Sequence, residues 1–338
     1  MKTIHRLASV AAATVLAAGV TLNLQASQTL LIGNATAGDT QAAANDKFAE
    51  LLTEYSDGQF EASARHGESL GGNAQMFPTL QAGSLHGMIF PAGFLAPIVP
   101  ELSVLDMPFL LPPEPKQITA FAAQSEAAEI LKELAEERGI KILGFHGIGP
   151  QSFLTRFPVE KLEDIRGKRF RVIPSPPRIG AYEDWGGVPR PMELGEVYTS
   201  LQQGTLDGME NPPDVIYMMN LHEAANYYTI TEHFAFASVV IVSKRWFDSL
   251  TPDLQEAVIR AGEDTIAWAD EAYTESQQSS LEAMRQEITV TEMPEEELEK
   301  MREAVFNGVW RRMEEDERRG DLIRILREDV ERFEASSR

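Results

Sequence analysis

Apolar positions in this chain switch between two periods. Short runs at 29–33, 60–65, 85–90, 140–145, 168–173 and 234–242 are rich in β-branched and aromatic residues and are bounded by Gly, Pro or polar loops, which predicts strands. Between them apolar residues recur at helical spacing. Phe48, Leu51, Leu52 and Tyr55 mark one helix, a second ends at 80–83, and an amphipathic helix is predicted over 117–138. The run 102–111 is apolar but interrupted by Pro108. Further helices are predicted at 178–185, ending at Gly186-Gly187, and at 193–203, ending at Gly204. Thr251-Pro252-Asp253 opens a helical pattern over 252–286, read as one long helix or as two shorter ones. Residues 294–338 are charged and helical, with Val305, Val309, Leu322, Ile325 and Phe333 as their apolar stripe, and are expected to close the second lobe. Strands alternating with helices imply an α/β fold with a largely parallel sheet. The glycine-rich stretch 146–151 reads as a hinge between two lobes, and 338 residues suffice for two cores.

The amino terminus changes the picture of where the chain goes. Residues 1–26 have the form of a secretory signal, with Lys2 and Arg6 before an apolar core at 7–22 and Leu24-Gln25-Ala26 as the cleavage site. That core, about 16 residues, is short for a membrane span, the alternative being a retained anchor. Losing Lys2 and Arg6 takes the net charge from −22 to −24. Such an acidic chain, 52 Asp and Glu against 30 Lys and Arg, is not expected to bind nucleic acid or an anionic membrane.

Candidate catalytic chemistry is sparse. There is no cysteine, hence no disulfide, thiolate metal site or Cys nucleophile. The histidines (His5, His66, His86, His146, His222 and His233) form neither an HExxH pattern nor a close pair, and neither phosphate-binding glycine motif is present, so no metal and no cofactor are expected. Gly67–Gly71 matches GxSxG, with Ser69 as nucleophile, but a glycine-rich strand-to-helix loop explains it equally and no ordered Asp and His partners follow. Acidic runs such as Glu295-Glu296-Glu297 read as a solvated helix face, and Tyr182 and Trp185 as core. Binding is therefore expected rather than catalysis.

The chemistry concentrates between Asp164 and Pro213. In the strand at 168–173, Arg169 and Arg171 share one face, with Phe170 and Val172 on the other. A charged side chain at a strand end beside the polar turn 207–212 is the usual way an open α/β sheet holds a small anion. From the sequence alone, Arg171 is a structural ion-pair residue or a ligand clamp.

The same stretch resembles a known family. GKRFRV at 167–172, PM at 191–192, EVYTSLQQG at 196–204 and DGMENP at 207–212 are similar, in order and spacing, to the periplasmic solute-binding proteins of tripartite ATP-independent periplasmic (TRAP) transporters, the DctP family. The resemblance runs from about 29 to about 267. It implies a two-lobed, type II-like periplasmic binding protein fold with hinge strands and a long helix spanning both lobes. Lobe I would comprise 27–148 plus about 237–276, and lobe II 149–236 plus about 277–338. It makes Arg171 the carboxylate clamp, a role suited to a planar fork that stays charged. Asn211 would contact the ligand through an amide that both donates and accepts. Asn34, Phe90 and Phe94 would contribute from the first lobe, and Ser175 from the turn after the Arg171 strand. One departure matters: where many relatives carry a second Arg in a GxR motif, this chain has Gly149-Pro150-Gln151. Gln151 offers a neutral amide, which favours a monocarboxylate with hydroxyl or carbonyl groups, such as a sugar acid or hydroxy acid. The resemblance implies a monomeric, periplasmic receptor that passes a small organic acid to TRAP permease subunits. The alternatives are a receptor feeding a sensor kinase and a secreted serine hydrolase using Ser69.

Overall fold

The computed structural model describes residues 27–67 and 69–336, so the secretory-signal reading of 1–26 lies outside the described residues. Among these, nine strands form one sheet: β1 (Gln28–Gly33), β2 (Phe60–Arg65), β3 (Gly87–Pro91), β4 (Ile140–Thr155), β5 (Arg169–Val172), β6 (Val188–Pro191), β7 (Gly208–Asn211), β8 (Tyr227–Ser243) and β9 (Thr289–Glu292). The order is β2-β1-β3-β8-β4-β7-β5-β6, with β9 against β8.

β4 and β8 are 16 and 17 residues long, roughly 50 Å each at strand rise. They pair antiparallel from Ile140↔Ser243 to Thr155↔Tyr227. β3 meets only the C-terminal part of β8, and β7 only the C-terminal part of β4. The sheet is thus two half-sheets joined through one long strand pair. Within each half the neighbours run parallel, which requires crossover helices. Thr40–Tyr55 and Asn73–Ala82 supply them in the first half, Pro176–Asp184 and Val197–Gln202 in the second. The result is the two-lobed α/β fold expected from the sequence, but the sheet is mixed rather than largely parallel, because β8 runs antiparallel to β3 and β4, and β4 to β7.

Each half has its own apolar core, Leu30, Ile32, Phe48, Phe60 and Val240 in the first and Leu154, Leu201, Met209, Ile216 and Tyr228 in the second. A larger core follows β4 and β8 between them, including Phe90, Phe145, Ile148, Phe153 and Phe170. Each such buried side chain contributes about 1.5–3 kcal/mol by its removal from water.

The helix Pro252–Glu287 is a single one of 36 residues, about 54 Å long. Its buried stripe is narrow and mostly small: Val258, Ala261, Thr265, Ala269, Tyr273, Ser280 and Met284. It packs on Thr40–Tyr55 in one half and Pro213–Met218 in the other, strapping the two together.

Several local expectations change. Residues 146–151 lie inside β4 rather than between elements, and the β4–β8 ladder slips between Gly147 and Gly149, opposite Ala237 and Phe236. A Cβ on Gly147 would stand 2.5 Å from the Pro115 backbone, and Gly149 has φ +146°, so both positions need glycine. The helix expected over 117–138 is two, Pro115–Ala122 and Glu126–Glu136. The second is capped by Ser125, whose Oγ donates to Asp329 Oδ2 at 2.6 Å while Ala127 N donates to the same oxygen at 2.9 Å. The tail therefore touches both halves, since Val309–Glu314 packs on Pro176–Asp184 and Gly320–Ser336 on Glu126–Glu136. Residues 193–203 form a short 3-10 turn, Leu194–Glu196, before the helix Val197–Gln202.

Candidate functional site

β5 delivers Arg171 to the junction of the halves. Phe170 and Val172 face the core at 0 % exposure, and the alternation of the strand sends Arg171 the other way. Its Nε donates to the Met192 carbonyl at 3.0 Å. Burial pulls the guanidinium down to about 10, and the Glu210 and Glu193 carboxylates oppose this as nearby charges rather than hydrogen-bonded partners. It is a buried cation with its charge incompletely met.

Seven residues on, Arg178 is also fully buried but paired with two carboxylates. Its Nε donates to Asp106 Oδ1 at 3.0 Å and its Nη1 to Glu210 Oε1 at 2.9 Å, Nη2 lies 2.9 Å from Asp106, and Gln151 Oε1 accepts a further bond from Nη1. Its plane lies over the Phe234 and Phe236 rings at 4.4 and 5.0 Å. Burial alone would lower its affinity for the proton, but the two carboxylates raise it above the ordinary arginine value.

β7 links the two arginines. Glu210 points back to Arg178, and its carboxyl is held below the usual range by His233 and Arg178 against the pull of burial. Asn211, on the opposite face, lines a cavity of about 250 Å³ between the half-sheets. Gln151 Nε2 donates to Asn211 Oδ1 at 3.4 Å, which leaves the Asn211 Nδ2 donors for the cavity. The halves meet over this space: a Cβ built on Gly72 would stand 3.3 Å from the Glu193 carboxyl carbon.

Of the residues singled out in the sequence, Arg171, Asn211 and Phe94 line the cavity. The other four surround it. Gln151, 1 % exposed, bridges Asn211 and Arg178 from behind. Phe90 packs on Phe77 with ring centroids 5.3 Å apart. Asn34 is taken up by Thr36 and accepts from Gln41 Nε2 at 2.6 Å. Ser175 precedes the helix Pro176–Asp184, with its Oγ buried and without a hydrogen-bond partner among the described residues. Ser69 is exposed, and among the described residues no hydrogen bond ties its Oγ to a histidine or an acid.

Sequence reasoning missed Asp39, Asn73, Glu193 and Tyr273, which also line the cavity, and the pairing of Arg178. Asp39 had a local signal as the helix cap of Thr40–Tyr55, where its Oδ1 accepts from Ala42 N at 2.9 Å. Nothing local marks Tyr273, which reaches the cavity only because the long helix crosses both halves. His146 stacks on it with centroids 5.5 Å apart, and burial pushes this imidazole down to about 4.

Two half-sheets sharing one strand pair, with a small cavity between them, define a two-lobed binding protein. The chain belongs to the DctP family, bacterial extracellular solute-binding protein family 7, whose model matches residues 32–316. That family consists of solute receptors. The chain is 28 % identical over 271 residues, 79 % of each chain, to the ectoine/5-hydroxyectoine-binding periplasmic protein UehA of Ruegeria pomeroyi. It is 28 % identical over 266 residues to the 2,3-diketo-L-gulonate-binding periplasmic protein YiaO of Escherichia coli, covering 77 % of this chain and 80 % of that one. Among solved structures it is similar to a TRAP periplasmic solute-binding protein from Sulfitobacter sp. NAS-14.1 with bound β-D-galacturonate, with a TM-score of 0.83 and 27 % identity over 88 % of this chain and 99 % of that one.

Proposed function

We propose that this chain is the extracytoplasmic receptor of a TRAP transporter. It binds a small organic acid, such as a sugar acid or hydroxy acid, between the lobes in the periplasm and delivers it to the membrane permease. The observation that carries this reading is the buried, under-compensated Arg171 beside Asn211, whose Nδ2 has no partner among the described residues, in one cavity. A ligand carboxylate would supply the missing charge in two parallel hydrogen bonds to the fork and accept from the amide. The relatives named as binding periplasmic proteins and the galacturonate complex support the same class of ligand.

The lobes of this reading are 27–148 with about 237–276, and 149–236 with about 277–338. Supporting that division, the register slip at Gly147/Gly149 lies level with Ala237 and Phe236, so both strands cross the boundary at one place. Motion there would open the cavity, and closure is the shape change a permease reads.

A thermal-shift screen against organic and sugar acids tests the function, since a ligand at 100 times its dissociation constant adds about 2.7 kcal/mol. A hit should also reduce the radius of gyration in small-angle scattering. A panel without a stabilising acid, or a hit with no compaction at saturation, would count against the receptor reading or its hinge respectively.

A further inference from the structure

The cavity has a second polar end that the carboxylate clamp leaves unused. Three lining residues carry a buried polar atom without a hydrogen-bond partner among the described residues: Asn211 Nδ2, Asn73 Oδ1 and Tyr273 Oη. Asn211 belongs with Arg171. Asn73 begins the helix Asn73–Ala82 of the first half, and Tyr273 projects from the long helix. Asp39 lines the same cavity, with its Oδ1 engaged by Ala42 N and by Thr36 Oγ1 at 2.8 Å. Asp214, at 0 % exposure, stands close enough to act on Tyr273.

Charge at this end is all of one sign. Among the described residues neither Asp39 nor Asp214 has a Lys or Arg partner, and the nearby His66 is turned to Asp46 at 2.9 Å. Burial raises the Asp39 carboxyl, and burial followed by the Asp39 charge pushes Asp214 up to about 7. His146 behind Tyr273 is kept neutral by its burial. Arg178 offers no help, since Asp106, Glu210 and Gln151 occupy its guanidinium. The side chains that line this end are the Asp39 carboxylate, an acceptor, and the Asn73 amide and Tyr273 phenol, each of which can accept from a ligand.

We infer that Asp39, Asn73 and Tyr273 form an acceptor-lined subsite that takes a hydroxyl or ammonium group at the far end of a carboxylate held by Arg171, and that rejects a second carboxylate. The inference rests on the organic-acid reading of the cavity and makes it narrower. A donor from the ligand meets the unpaired Asn73 oxygen and the phenol. A second carboxylate meets like charge with no Lys or Arg partner for it among the described residues, which opposes its binding.

Titration calorimetry with acids matched in chain and different at one end tests this: galactonate against galactarate, and 6-hydroxyhexanoate and 6-aminohexanoate against adipate. In the parent the monocarboxylate of a pair should bind about 100-fold more tightly than its dicarboxylate. Tyr273→Phe removes a hydroxyl that is unpaired without ligand, so folding should hold while monocarboxylate binding weakens about 2- to 10-fold. Asp39→Asn keeps the helix cap and should narrow the gap between the paired acids at least about tenfold. A tighter 6-hydroxyhexanoate identifies the donor as a hydroxyl, and a tighter 6-aminohexanoate as a cation; both support the subsite. Mono- and dicarboxylates binding within threefold of each other, with all binding lost in Arg171→Ala, would overturn the subsite and leave the receptor reading intact. Failure of every acid to bind would overturn both.

Discussion

Arg171 and Arg178 lie seven residues apart, are both buried, and do opposite things. Arg178 meets two carboxylates, an amide and two aromatic faces, and its charge is held more firmly than in water. Arg171 has one carbonyl bond, and burial lowers it to about 10. Burying a charge is costly unless partners replace the water. Where they do, the residue holds the fold together. Where they do not, the fold keeps a cation waiting for an anion, and the cavity in front of it is where that anion fits. The carboxyls show the same division: Glu210, paired with Arg178, is held low, while Asp214, with no Lys or Arg partner among the described residues, is pushed up to about 7.

The comparison breaks first at Arg178. Arg178→Ala would leave Asp106 and Glu210 buried without their guanidinium, and should cost about 3–5 kcal/mol of folding stability in urea denaturation. A variant within about 1 kcal/mol of the parent would show that the network is not what holds these elements together. Arg171→Ala should show the reverse pattern. Binding of the identified acid should weaken roughly 100-fold to several thousand-fold by calorimetry, with stability unchanged or increased. Arg171→Lys keeps the charge but loses the fork, and should fall between. If Arg171→Ala binds within threefold of the parent and unfolds as easily as Arg178→Ala, the two arginines have the same structural role.

Asp214 sharpens the contrast through pH. Its folded value of about 7 lies above the ordinary 3.8, so the folded state keeps the proton between these values and the unfolded state does not. Its contribution to stability is therefore present near pH 4 and is lost as pH rises through 7. Relative to the parent, Asp214→Asn should gain roughly 2–4 kcal/mol on going from pH 4 to pH 8. Parallel stability curves would mean that Asp214 is ionised in the folded chain as readily as in the unfolded one. The smallest effect is expected at Gln151, which bonds Arg178 directly and reaches the Arg171 end of the cavity only through Asn211. Gln151→Ala should weaken binding by about 1–3 kcal/mol, because Asn211 loses the bond that orients its amide.

Much of this was legible in the chain itself. The strand and helix periods and the long helical pattern from Pro252 were determined locally, because burying one face of a helix or strand imposes its period on the sequence. Arg171 and Asn211 were found because they sit in the GKRFRV and DGMENP segments. The break at Ser125 was not legible, since the acid that completes that cap, Asp329, is 204 positions away. Nor were the four-residue strands β6 and β7, too short for a period to show. The sequence likewise did not separate the two arginines. Gln151 looked like the loss of a second cation, but in the fold it contacts Arg178, and Arg178 is spent on Asp106 and Glu210. Whether a buried charge is met depends on which distant side chains stand within about 3 Å of it, and only the packing of β5, β7 and the segment around Asp106 decides that. The same holds for the acidic end of the cavity. Asp39, Asn73 and Tyr273 come from three elements with no shared pattern, and they share one space because the long helix crosses both halves of the sheet.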